Sequence, residues 1–182
     1  TLDLKTPGDA LFLVGETRPE LGGSHYNLLH GIAGGAVPQP NDGAPETLRG
    51  LHRAVSGGLV RACHDLSEGG LAVALAEMCL AGRLGAEIKD AQSVETLFSE
   101  SLTRFIAEVR PEDRTAFELT LQMAGAPFAL LGTVSADGRL RIPCGAQTID
   151  LSVSDLERAW RGPQPDAAPV SLLSVPAQPL SD

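Results

Sequence analysis

The chain has 182 residues, 43% of them apolar but only 4% aromatic. That suits one domain with a core of Leu, Val and Ala, with or without a loose tail. A net charge of −9 leaves no basic stripe for a nucleic-acid groove, and no apolar run reaches the length of a membrane span. Cys63, Cys79 and Cys144 are odd in number and far apart, with no metal or disulfide spacing, so a reducing cytoplasm is the expected location. Residues 1–8 are charged and lack the apolar stretch of a signal peptide. The first residue is Thr1, and the chain is expected to be a piece of a longer polypeptide.

Ala10 to Val14 is a short apolar run stopped by Gly15, and reads as a buried strand. Leu21-Gly22-Gly23-Ser24 leads into a short helix through Leu28 and Leu29, with Ser24 suited to its N-cap. Residues 31–43 are rich in Gly and Pro and read as loop. Leu48, Leu51 and Val55 recur at helical spacing until Ser56-Gly57-Gly58 stops them. Leu59 to Ala62 reads as a strand that leads into His64-Asp65-Leu66-Ser67-Glu68-Gly69-Gly70-Leu71.

Leu71 to Leu80 is the strongest helical segment, with Gly82 as its stop, and Leu84 to Ile88 follows as a strand. Val94 to Leu97 makes one helical turn before Phe98-Ser99-Glu100-Ser101. Arg104 to Val109 alternates as a strand does. Pro111 and Gly125 frame a helix over residues 112–124. Phe128 to Val134 is a strand, joined through Ala136-Asp137-Gly138 to Leu140–Ile142 as an expected hairpin. Gln147 to Val153 is a further strand, and Ser154 with Glu157 suggests a capping box for a last helix through Trp160. The expected fold is α+β, a mixed or antiparallel sheet covered by helices. It occupies residues 1–161, and residues 162–182 form a Pro-rich flexible tail.

Three stretches carry candidate chemistry. In the string from His64 to Leu71, a strand end meets a helix start. Asp65 is placed to hold a metal. Ser67 and the amides of Gly69 and Gly70 are placed to meet a phosphate. The same residues serve equally as a helix cap with glycines for close strand–helix packing. Gly22, Gly23 and Ser24 are a second candidate anion site, or a flexible loop with a Ser cap; no Lys follows to make a P-loop. Glu100 and Ser101, with Arg104, are a third, or a polar turn with a salt bridge. Cys63 and His64 are neighbours on a strand and point to opposite faces, which disfavours a nucleophile–base pair. His25, His30 and His52 have no evident partners in the sequence.

In this order, Leu21–Ser24, His64–Leu71 and Phe98–Ser101 resemble phosphoribosylformylglycinamidine synthases, specifically the C-terminal domain of the second half of the synthetase subunit. That domain is similar to the C-terminal domain of aminoimidazole ribonucleotide synthetase. The resemblance spans roughly residues 8–160. It implies a part of an ATP- and magnesium-dependent ligase of purine biosynthesis, which amidates formylglycinamide ribonucleotide with glutamine-derived ammonia. It implies as partners the N-terminal parts of the same polypeptide, a glutaminase and a small bridging subunit.

The family's catalytic histidine and ATP-contacting lysine lie outside the matching segment, so no catalytic residue is expected here and the fragment should be inactive and architectural. By pseudo-symmetry with the first half, the resemblance makes Asp65 a magnesium ligand. By the same route it makes Gly22, Gly23, Ser24, Ser67, Gly69, Gly70, Glu100 and Ser101 a nucleotide or phosphate site, able to hold a structural ADP. Leu102 and Thr103 depart from the family pattern, standing where Gln and Gly are expected.

Overall fold

The computed structural model describes residues 1–90 and 92–162. The expected tail, apart from Gly162, lies outside the described residues. Among the described residues, seven strands form one mixed sheet in the order β2-β4-β1-β5-β3-β6-β7. They are β1 (Ala10–Val14), β2 (Ala62–Asp65), β3 (Gly85–Ile88), β4 (Phe105–Val109), β5 (Phe128–Ser135), β6 (Arg139–Cys144) and β7 (Gln147–Ser152). Every ladder is antiparallel except the parallel pair β3 and β6.

Strand β1 is apolar at every position because both of its faces are covered. Leu11 and Leu13 join the larger core with α3 (Gly70–Gly82), α4 (Val94–Phe98) and α6 (Val153–Arg161). Ala10, Phe12 and Val14 join a second core under α2 (Ala44–Ser56) and α5 (Arg114–Ala124). Phe12 packs on Phe117 at 5.0 Å between ring centroids. The remaining helix, α1 (His25–His30), is short and capped by Ser24, whose Oγ accepts from Asn27 N–H at 3.2 Å.

Four details differ from the sequence expectation. The strand expected at 59–62 begins only at Ala62, because Leu59 N–H is spent on Ala54 C=O in leaving α2. His64 and Asp65 therefore lie within β2. On α2, the buried face is Thr47, Gly50, Leu51 and Ala54, while Leu48 and Val55 are half exposed. A Cβ on Gly50 would stand 3.0–3.1 Å from Ala126, Ala124 and Leu121, so α2 and α5 meet through small residues rather than through the apolar stripe. The turn at 136–138 does not close a hairpin. β3 inserts between β5 and β6, which buries its Ala86 and Ile88 in the larger core. Finally, α6 is capped two residues early, by the Ser152–Asp155 capping box rather than by Ser154 and Glu157.

One buried acid helps to strap the N-terminal segment to the sheet, beside backbone bonds such as Cys63 N–H to Thr1 C=O and Gly8 N–H to Val134 C=O. Glu108 on β4 is fully buried and accepts from the N–H groups of Lys5 and Thr6 at 2.9–3.0 Å. Asp9 is also buried. Its Oδ2 lies 3.0 Å from Arg61 Nε, a charge contact rather than a directed hydrogen bond. Burial pushes the Glu108 carboxyl up to about 7; the Thr6 and Lys5 amides pull it down, and Asp9 pushes it up further.

A carboxyl raised above its unfolded value stabilises the fold fully only below that unfolded value. The contribution is lost as pH rises through about 7. Urea stability is therefore expected to fall by on the order of 2–3 kcal/mol from pH 5 to pH 8. Glu108→Gln, which keeps the neutral shape, should flatten that fall; an unchanged slope would contradict the assignment.

Candidate functional site

The three stretches singled out in the sequence converge at one corner of the fold. β2 delivers His64 and Asp65 to the mouth of α3, β1 runs into the loop that carries residues 15–24, and α4 ends at Ser99. The meeting point is a single oxygen. Glu100 Oε1 accepts from His25 N–H and from Gly69 N–H, each at 2.9 Å, and lies 3.3 Å from His25 Nδ1. Burial acts to raise the Glu100 carboxyl, but the Gly69 and His25 donors outweigh it and hold the group below the usual carboxylate range.

The other hydroxyls are also engaged. Ser24 caps α1 and donates to Leu21 C=O at 2.7 Å. Ser101 Oγ accepts from Arg18 N–H at 3.1 Å and donates to Arg18 C=O at 3.2 Å. Ser99 Oγ accepts from Glu20 N–H. Arg104 reaches no surface at which it would meet a phosphate. Only 1% exposed, it donates to Ser101 C=O, Thr17 Oγ1 and Ser99 C=O. Burial lowers its guanidinium to about 10, with Glu20 and Glu100 acting in the opposite direction. The salt bridge weighed for this turn is thus replaced by a carbonyl-ligated guanidinium.

Two of the candidate glycines are closed in by the chain's own backbone, while Gly23 is exposed with nothing within 4 Å of its Cβ position. A Cβ on Gly70 would lie 2.5 Å from Ser99 C=O and 2.8 Å from Leu97 C=O. A Cβ on Gly22 would lie 2.4 Å from Gly35 C=O. Gly69 and Gly70 both adopt positive φ, 78° and 65°. Neither Ser67 nor Asp65 caps α3; Gly69 is its N-cap, with no side-chain bond.

Two of the candidate side chains keep polar groups at the surface. Asp65 is 64% exposed at its side chain, and Ser67 donates to its Oδ2 at 3.3 Å. His64 is held between Asp65 Oδ1, 3.4 Å away, and Glu77 Oε2, 2.8 Å away. It faces those acids rather than Cys63, whose thiol burial pushes up to about 11 and so away from reactive thiolate. His25, without an evident partner in the sequence, has Glu100 and, at 3.9 Å, Glu68. No signal within one sequence announces that Glu100 pairs with His25; only the fold brings them together.

Among the described residues no group of three or more His, Cys, Asp or Glu is placed to hold a metal. Asp65 alone does not make a resident magnesium site, because magnesium held by one carboxylate takes its other oxygens from phosphates and water. The neighbouring cleft of about 340 Å³, lined by Thr17, Arg18, Pro19, Ser93, Glu95 and Thr96, includes none of the nine candidate residues. No helix among the described residues is long and apolar enough to cross a membrane.

One departure from the expected motif is visible in the backbone. Thr103 has φ 60°, left-handed, at the position where glycine was expected. A β-branched residue there is strained by roughly 1–2 kcal/mol. Thr103→Gly is expected to raise stability by about 0.5–1 kcal/mol once the greater freedom of the unfolded glycine is counted. A lower urea midpoint would contradict this.

The model of the AIR synthase related protein, C-terminal domain family matches residues 6–145. Over 167 residues, 89% of this chain, the sequence is 35% identical to phosphoribosylformylglycinamidine synthase subunit PurL of Alkaliphilus metalliredigens. It is 38% identical over 182 residues, 88% of this chain, to the PurL subunit of Symbiobacterium thermophilum. The chain spans 23% of the length of each of these relatives.

Among solved structures, it is similar to Thermotoga maritima PurL complexed with FGAR. The TM-score is 0.71 at 16% identity, over 98% of this chain and 32% of that one. The T. maritima PurL complexed with ATP gives a TM-score of 0.66 at 20% identity, over 85% of this chain and 26% of that one. These likenesses establish the mixed-sheet α+β fold.

Proposed function

The chain belongs to the AIR synthase related protein, C-terminal domain family, and from that premise we propose that it is the C-terminal domain of a phosphoribosylformylglycinamidine synthase subunit. The observation that carries this reading is the 35–38% identity to PurL subunits, sustained over nearly nine-tenths of this chain. The parent enzyme then joins ammonia to the activated amide carbon of formylglycinamide ribonucleotide at the expense of ATP, in the cytoplasm. Its upstream parts, a glutaminase and a small bridging subunit are the partners of this domain.

Residues 1–161 act in it as a folded unit whose work is architectural. The engaged hydroxyls and amides support that role, since a group bonded within the chain is not free for a substrate. Magnesium and ATP belong to the parent enzyme. Asp65 and Ser67 are the two candidate side chains open to contact a phosphate-bound metal, and no chemical step is assigned to them. The rival readings are a non-catalytic nucleotide-binding or interaction module and the C-terminal domain of another superfamily member, such as aminoimidazole ribonucleotide synthetase.

The test is an assay of the chain with formylglycinamide ribonucleotide, ATP, magnesium and ammonia. The chain alone should give no turnover. The parent polypeptide should turn over, and should lose activity when this domain is deleted. Turnover by the chain alone, or full activity without it, would overturn the reading. Calorimetric ADP binding abolished by Asp65→Asn would favour the nucleotide-binding module.

A further inference from the structure

Glu100 occupies a position that an external anion could also fill. The amides of His25 and Gly69 have no acceptor within their own helices: one opens α1 and the other caps α3. Paired and aimed at one point, two such N–H groups suit a carboxylate or phosphate oxygen. Here the oxygen is the chain's own, at 2.9 Å from both, on a side chain 17% exposed.

The surroundings agree. Beside the two amides, the space at Gly70 is filled by Ser99 C=O and Leu97 C=O, that at Gly69 by the Val73 side chain and that at Gly22 by Gly35 C=O; of the candidate glycines only Gly23 faces open space. The rim carries Asp65 and Glu68, two exposed acids that repel an incoming anion, against one imidazole, His25. Together these make the corner complete in itself.

We propose that Glu100 is a resident anion: its carboxylate ties the residue 22–25 loop to the start of α3 and closes that amide pair to external phosphates. It is a positioning and excluding residue, not a catalytic one. The proposal is independent of the parent reaction, since it concerns only what the two amides bind.

The test uses the 182-residue chain with the wild-type residue, with Glu100→Ala and with Glu100→Gln. It reads thermal midpoints and the backbone amide resonances of His25 and Gly69. The wild type should be indifferent to formate or inorganic phosphate beyond matched chloride, and ADP should not move the two amides. Glu100→Ala should melt several degrees lower. Formate should restore part of that loss and shift both amides together.

If Glu100→Ala does not fold, Glu100→Gln carries the test: loss of the charge should move both amides and lower the midpoint. Movement of the two wild-type amides by ADP or phosphate would overturn the proposal. So would a wild-type midpoint in Glu100→Ala, a Glu100→Ala that formate leaves unchanged, or unmoved amides in Glu100→Gln.

Discussion

Gly70→Ala is expected to lower the stability of this domain by about 3–5 kcal/mol, or to prevent its folding. Two costs add at this position. The φ of 65° is left-handed, which by itself costs an alanine roughly 1–2 kcal/mol. The new Cβ would also stand 2.5 Å from Ser99 C=O and 2.8 Å from Leu97 C=O. Those are backbone atoms, which cannot swing aside as a side chain would. They belong to the end of α4, so relief requires α3 and α4 to separate, opening the larger core around Leu71 and Leu97.

Gly23→Ala is the internal control. Its φ of 77° is also left-handed, but nothing lies within 4 Å of its Cβ position. It should cost about 1 kcal/mol. Urea unfolding of the two variants separates close packing from conformational strain. Equal losses would mean that the approach of Ser99 does not matter.

Arg104→Leu is expected to cost about 3–5 kcal/mol, the usual penalty for breaking a buried charged network from one side. The guanidinium serves acceptors from two loops, Thr17 Oγ1 on one and the carbonyls of Ser99 and Ser101 on the other. Leucine supplies none of those donors and leaves the acceptors buried without partners. It also removes the charge that Arg104 sets against Glu20, which is buried with Oε2 unpartnered. Arg104→Lys should recover only part of the loss, because one ammonium cannot reproduce the planar fork that reaches three acceptors. Full recovery by lysine would show that charge alone, not geometry, holds the two loops together.

Much of this fold is legible in the sequence because local signals suffice for it. The apolar run Ala10–Val14, the Ala-rich α3 and the caps at Ser24 and Gly125 each declare themselves within a few residues. What is not legible depends on partners far along the chain. The hairpin expected across 136–138 fails because β3, fifty residues earlier, takes the place beside β5. Leu48 and Val55 form a helical stripe, yet α2 buries Gly50 and Ala54 because α5 presents a close-packed surface to them.

The candidate site divides in the same way. The three motifs and their order identify the family, and the fold does bring them together. Their composition alone leaves open whether the amides and hydroxyls face a ligand or one another. Glu100 decides that for the two amides it binds, and no periodicity or spacing points to its partners. Thr103 shows how a motif departure is absorbed: the backbone holds the left-handed turn and the side chain bears the strain.

The central claim is that these motifs hold the domain together rather than perform chemistry. The most direct measurement is kcat for amidation by the parent enzyme carrying both Asp65→Asn and Ser67→Ala, the changes at the two candidate residues whose side-chain polar groups remain exposed. The account predicts a kcat within about twofold of wild type, with an unchanged thermal midpoint. A fall in kcat of about a hundredfold or more in a fully folded enzyme, the scale of losing a transition-state contact, would contradict it.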